Sequence, residues 1–280
     1  MPFGTPSAGR SRFWWRLIPI VIGLAAVGYQ YVGAPRFTNP ETGRSARLGL
    51  SENQETELGL QGFHEVVAQS RQVSSGPDYD TVMRVSRRLE EAIGVTEHMT
   101  WEVAVLDDPQ QNAFCLPGGK ICVYTGILPV TRTDAGLAVV LGHEMAHATC
   151  HHGAERVLRQ NMTETAMMGV QGSMGDLDYS QRRALMGLIG AGAQYGVLLP
   201  FSRTHESEAD HVGLKYMARA GYDPKEAVAF WTRMAEAGGS GKQPPEFMST
   251  HPLHETRIRQ IQEWLPEIVA NEHPAQRSPE

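Results

Sequence analysis

Acidic residues are missing from the start of the chain: none precedes Glu41, while Arg10, Arg12 and Arg16 stand ahead of or at an apolar run. Cysteine is scarce, with three in 280 residues, and no lipobox cysteine or convincing A-x-A cleavage site follows that run. A lipid anchor therefore finds no support, and a cleaved signal finds little. Excess positive charge is missing as well, and a net charge of −6 gives no reason to expect nucleic-acid binding. Internal repeats are absent, and no linker interrupts the motifs, so residues 37–270 read as one domain around one core.

What the start does contain is an apolar stretch, residues 17–32, preceded by Trp14 and Trp15. With its aromatic edge it approaches the ~20 residues needed to span a bilayer, and the arginines before it keep that end in the cytoplasm. Residues 1–36 are thus expected to form a basic segment and transmembrane anchor, or a signal sequence, with residues 37–270 across a bacterial inner membrane in the periplasm. An Arg-rich, acid-poor start also permits a mitochondrial destination. A second uncharged run, residues 184–201, has transmembrane length but is glycine-rich, holds Gln194 and meets Pro200, so it reads as a packed, membrane-facing helix. Residues 51–72, 79–94 and 223–237 read as helices, Met162, Met167, Met168 and Met174 as core or adaptable lining, and residues 271–280 as a disordered tail.

The most informative element is His143-Glu144-Met145-Ala146-His147, preceded by an apolar run that begins at an N-cap, Thr133 or Asp134. Residues four apart share one helix face, so both imidazoles point at one spot with Glu144 beside them. Two histidines and a glutamate have no reason to sit in an apolar helix unpaired, because buried polar groups without partners cost several kcal/mol. The pattern is that of two zinc ligands and a general base. A catalytic zinc needs a third protein ligand and an open position. A histidine six residues after His147 would fill the role in one known arrangement, but that position is Gly153 and its required glycine is Cys150. His151 and His152 follow too closely, since successive turns rise about 5.4 Å, and read as solvated or outer residues. Glu155 and Glu164 lack a supporting pattern.

A better source lies further along. A helix starting near Ser202 carries Glu206 and Asp210 four apart on one face, with Glu208 turned away. One carboxylate can ligate zinc while the other steadies a ligand, and Asp210 suits the second role because metal-bound histidines commonly give their other N–H to a carboxylate. Upstream, residues 112–124 read as a hairpin around Leu-Pro-Gly-Gly, following a strand at residues 101–106. The edge of such a sheet could take an extended peptide, with Asn112 and Ala113 as substrate contacts. Cys115 and Cys122 flank the turn and could pair in an oxidising compartment; free buried thiols are the alternative. Thr250-His251-Pro252 reads as a loop entering a final helix, and His251 is expected to approach the open metal position or the substrate cleft and gate access, a capping or surface histidine being the alternative. His211, Tyr216 and His251 are candidates for supporting a transition-state oxyanion.

The motifs around Asn112–Gly126, His143–His147, Pro200–Asp210 and Thr250–Pro252, in that order, resemble the membrane-associated zinc metallopeptidases of peptidase family M48, whose members include HtpX-type, CAAX prenyl and Oma-type proteases. The resemblance implies an α+β, mainly helical fold with a small sheet, a zincin of the gluzincin type. It also implies that the first glutamate of E-x-E-A-D, Glu206, is a ligand beside His143 and His147, holding one Zn2+ per chain. Zinc so held would acidify a water and polarise the scissile carbonyl, while Glu144 takes the water proton and returns it to the leaving amine. The expected activity is endopeptidase cleavage of misfolded or membrane-associated proteins in quality control. The alternative is a protease-fold chaperone or adaptor that binds unfolded chains without cleaving them, which would have no need of base, ligands and orienting acid together.

Overall fold

The computed structural model describes residues 9–94, 99–174, 180, 183, 202–239, 246–252 and 256–272. Two compact units divide the chain: Met1–Phe37, Ala46–Gly49 and Glu155–Leu199 form one, and Thr38–Ser45, Leu50–Ala154 and Pro200–Glu280 form the other. The described part is mainly helical with small sheets.

After two short strands, β1 (Arg36–Thr38) and β2 (Ser45–Arg47), the larger unit is organised about a four-stranded sheet of order β3-β4-β6-β5, formed by β3 (Gln72–Val73), β4 (Glu102–Leu106), β5 (Ala113–Leu116) and β6 (Lys120–Tyr124). The hairpin expected at residues 112–124 is present: β5 and β6 are antiparallel, with Phe114 opposite Cys122 and Cys115 opposite Ile121. Gly118 and Gly119 close it at φ +75° and +83°, a region that only glycine enters freely. The expected strand at 101–106 is β4, which runs parallel to β6. Both faces of this central pair are covered, so Ala104, Val105 and Leu106 are all buried and no alternation survives. Leu106, Ala104 and Cys122 pack with Phe63 of α2 (Glu52–Gln69), while Val105, Ile121 and Val123 join the main core with α3 (Pro77–Ile93) and α5 (Asp134–Thr149).

The two faces of the hairpin decide between the two cysteine expectations. Successive strand residues face opposite sides, and Cys115 packs against the main core while Cys122 lies in the smaller cluster on the other face. All three cysteines are free thiols.

The helices follow local rules. Ser51 caps α2 with a reciprocal bond to Gln54, and α2 ends earlier than the sequence suggested because Gln72–Val73 is drawn into the sheet. The short α4 (Leu128–Thr131) leads to α5, where Thr133 rather than Asp134 is the N-cap, its hydroxyl accepting from Gly136 N at 3.0 Å. Every residue from Gly136 to Ala148 is buried, as expected of a helix apolar on all sides. Ser202 caps α7 (Arg203–Arg219), which crosses α5 in the core, and α8 (Glu226–Gly239), α9 (Glu246–Thr250) and α10 (Arg257–Glu272) complete the unit. The connector α6 (His152–Ser173) leaves the end of α5.

In the smaller unit, α1 (Gly9–Gly33) lies against α6, their backbones meeting at Gly23 and Gly169, and Gln30 donates to Thr165 Oγ1 at 2.8 Å. Trp14, Trp15, Ile18, Val21, Ile22 and Leu24 are exposed on α1. Among the described residues no helix is long and apolar enough to cross a membrane. The apolar run at 184–201 and the tail from 273 lie outside the described residues. Met174 is core, but Met168 is exposed.

Candidate metal centre

The α5–α7 crossing creates the site. Gly142 and Gly213 let the two backbones touch beside His143: a Cβ on Gly213 would stand 2.9 Å from Gly142 C and from His143 N. Glu206, in the first turn of α7, is thereby set against His143 and His147. His147 Nε2 lies 3.1 Å from His143 Nε2, and Glu206 places Oε2 3.3 Å from His143 Nε2 and Oε1 3.5 Å from His147 Nε2. His251, just past α9, stacks on Phe247 and brings Nδ1 to 3.1 Å from both His143 Nε2 and Glu206 Oε1.

Donor atoms of these four buried residues lie within 4.8 Å of one another. Five of the separations among them, 3.1–3.5 Å, lie close to the ~3.3 Å edge of a tetrahedron whose centre is about 2.0–2.1 Å from each ligand, the zinc–nitrogen and zinc–oxygen distance. Three imidazoles and one carboxylate, packed this closely, fit that ion in both size and chemistry.

Glu144 sits beside this group. Its Oε2 accepts from Cys115 N at 3.3 Å, tying it to strand β5, and its Oε1 lies 3.3 Å from His251 Nε2. Burial raises its carboxyl above the ordinary carboxylate range. Asp210 stands where the sequence argument put it, with Oδ1 3.0 Å from His143 Nδ1. Burial disfavours a charged His143, but hydrogen bonds to Asp210 and Glu206 outweigh it, raising the pKa to about 9 without metal. His147 goes the other way, driven down by burial and by the His143 charge.

Sequence reasoning missed Arg257. Its guanidinium is buried, donates to both Asp210 oxygens at 2.6 and 2.7 Å, reaches Glu206 Oε2 at 3.2 Å, and lies 3.4 Å from the Trp231 ring centroid. One signal could have found it: a cation at the first residue of a helix is opposed by the helix dipole and needs an acid nearby. Of the other candidates, Tyr216 bonds to Thr149 Oγ1 at 2.9 Å and His211 packs on Trp264, so neither joins the four donors. His151 is held by Glu55 at 2.6 Å, whereas His152 is fully buried behind His147. Glu208 does turn away from the donors, but into a second buried network. Asn112 is half-buried and Ala113 buried at the start of edge strand β5.

Comparison with known proteins is consistent with this chemistry. The model of "Peptidase family M48" matches residues 79–265. The chain is 36% identical over 264 residues to the mitochondrial metalloendopeptidase OMA1 of Schizosaccharomyces pombe, covering 94% of this chain and 75% of that protein. Against the protein of the same name from Saccharomyces cerevisiae the figures are 31%, 83% and 69%. The beta-barrel assembly-enhancing protease of Yersinia pestis is 29% identical, over 78% of this chain and 45% of its own length.

Proposed function

The chain belongs to peptidase family M48 and is a metalloendopeptidase, and on that premise we propose that it is a zinc enzyme whose ligands are His143, His147 and Glu206 and whose general base is Glu144. The observation that carries the proposal is the set of donor separations near a tetrahedral edge, with a buried carboxylate beside it. Bound there, zinc would supply Lewis acidity toward the scissile carbonyl and toward a water molecule. The chain's own residues do the rest. Glu144, its pKa raised by burial, takes the water proton on Oε1 and gives it to the leaving nitrogen. Asp210, clamped by Arg257, fixes the His143 ring so that Nε2 faces the other donors and would be free to hold the ion. The edge of β5 near Asn112 and Ala113 pairs with an extended substrate, and the Cys115–Glu144 bond keys that edge to the base. His251 occupies the fourth donor position and leaves it when substrate enters.

Protein substrates in quality control suit a site that binds backbone rather than a particular side chain. The exposed aromatic and aliphatic residues of α1 support membrane association, with Arg10, Arg12 and Arg16 on the cytoplasmic side. A bacterial inner-membrane protein facing the periplasm is the reading we favour; the names of the yeast relatives support a mitochondrial location as the other. Zinc content and casein cleavage, measured for wild type and Glu144→Gln, test the mechanism. We expect one zinc in each and a fall in cleavage of at least ~10²–10⁴-fold in the variant. Equal cleavage by both would refute the assignment of Glu144, and full zinc with no cleavage by either would favour a chaperone. Carbonate extraction of cell membranes tests the anchor, which is wrong if the protein is released.

A further inference from the structure

His147 has a neighbour on each side of its ring. Nε2 faces the donors already described, and Nδ1 lies 3.0 Å from Nδ1 of His152. The other nitrogen of His152, Nε2, is 3.0 Å from Glu208 Oε2. Glu208 in turn accepts from Thr42 Oγ1 at 2.6 Å, from Asn39 Nδ2 at 2.8 Å and from the Arg44 guanidinium. His152 is completely buried and His205 stacks on it at 4.4 Å. From this chain of contacts, and resting on the reading of His147 as a ligand, we infer that His152 and Glu208 are positioning residues: an imidazole–carboxylate relay that fixes the ring and tautomer of His147.

Proton placement on the relay has one consistent solution. A ligating Nε2 must keep its lone pair, so the His147 proton is on Nδ1 and points at His152. Nδ1 of His152 must then accept, which puts its proton on Nε2, where Glu208 accepts it. A second proton on His152 would set two N–H groups head to head at 3.0 Å. Glu208 is the acceptor at the end of the relay, with donors from His152, Thr42 and Asn39 and the Arg44 guanidinium against it.

Local backbone explains how a residue five places after His147 comes to lie behind it. In an unbroken helix His152 would sit about 140° round the axis from His147. Instead α5 ends at Thr149, His151 adopts φ +55°, and the chain restarts as α6 at His152. The 2.6 Å contact between His151 and Glu55 holds this break. Asp210 therefore serves His143 directly, while Glu208 serves His147 through one imidazole.

Cys150, His152 and Glu208 also place donor atoms close enough to hold a metal ion. Their atoms are already engaged: Asn39 donates to Cys150 Sγ at 3.0 Å, Arg44 neutralises Glu208, and both His152 nitrogens are bonded. A relay accounts for the His152 and Glu208 contacts, and a second ion leaves the Arg44 cation on Glu208 unexplained.

The test is zinc affinity and stoichiometry of the full chain by chelator competition, together with the visible spectrum of the cobalt-substituted protein. His152→Phe fills the volume without an acceptor and should weaken zinc binding about 10–100-fold and shift the cobalt bands. His152→Asn, whose Oδ1 replaces Nδ1 as acceptor, should keep affinity within about 5-fold. Glu208→Gln covers the case in which the phenylalanine variant does not fold and should show a smaller loss of the same sign. Unchanged affinity and spectrum in His152→Phe, or in Glu208→Gln if only that folds, would overturn the relay. So would a second bound equivalent in wild type that disappears in His152→Phe. Wild-type affinity in His147→Ala would instead refute the ligand reading on which the relay rests.

Discussion

The α5–α7 crossing makes Gly213→Ala a sharp test of how the centre is assembled. The new Cβ would lie 2.9 Å from Gly142 C and His143 N and 3.0 Å from Gly142 O, about half an ångström inside ordinary contact with backbone that cannot rotate away. Relief requires the two helices to part. Overpacking of this kind costs about 1–3 kcal/mol, and alanine's better helix propensity returns up to ~1 kcal/mol. A net loss of about 1–2 kcal/mol is expected. The clash is at the His143 nitrogen itself, so the separation carries His143 and Glu206 apart by a distance beyond the ~0.2 Å that metal sites tolerate. Zinc affinity should fall about 10–100-fold, the range seen when ligands are mispositioned. The reciprocal Gly142→Ala is the control: its Cβ meets Gly213 O at 3.1 Å and the Met217 side chain at 3.6 Å, so a shift of a few tenths of an ångström suffices and the two effects should nearly cancel. Urea denaturation and chelator competition on both variants give the answer. A Gly213→Ala protein as stable as wild type, with unchanged zinc affinity, would refute the idea that this crossing sets the ligand spacing.

Zinc uptake should release protons, because the metal-free His143 has its pKa raised to about 9 and must lose its proton to ligate. Titration calorimetry in buffers of different ionisation enthalpy should find close to one proton released at pH 7, and affinity should climb with pH until about 9; no buffer dependence would contradict it. Far from the centre, Arg219 donates to Glu41 at 2.8 Å and to Glu272 at 2.7 Å, and this bonding lowers the Glu41 pKa. A depressed carboxylate stabilises above its unfolded pKa and loses that stabilisation as pH falls through the folded value. The stability gap between wild type and Glu41→Gln should be about 1 kcal/mol at neutral pH and close below pH ~4; a gap that persists in acid would argue against it. Thiol titration of the denatured, non-reduced protein should count three free cysteines, and one would restore the disulfide.

Legibility in the sequence followed the range of the interactions involved. The four-residue spacing of His143 and His147, and of Glu206 and Asp210, is local geometry, and the structure brings all four to one place. The hairpin was equally readable because its turn chemistry is contained in Leu-Pro-Gly-Gly. The end of α2 was not, since whether Gln72–Val73 continues a helix or enters a sheet depends on a partner strand over thirty residues away. For His152, read as solvated or outer, and Glu208, read as turned away, the contact between them was not legible for a similar reason: spacing on an unbroken helix says nothing of the backbone break at His151 that folds His152 behind His147. Arg257 carried no motif, and only its electrostatic awkwardness at a helix start could have flagged it.

His251 differs from the other three donors in how it is held. His143, His147 and Glu206 belong to helices that share the main core, so displacing any of them means disturbing α5 or α7. His251 follows a helix of five residues and is fixed by its stacking on Phe247, by the Phe247 carbonyl and by the contacts inside the centre. It can therefore leave while the other three remain. Removing it should separate two quantities that a purely structural histidine would change together. His251→Ala should keep one zinc, bound less tightly because a donor is gone, while the Michaelis constant for a peptide substrate falls because no side chain competes for the open position. If zinc affinity and both kinetic constants stay at wild-type values, His251 is a bystander at the centre and gating must be sought elsewhere.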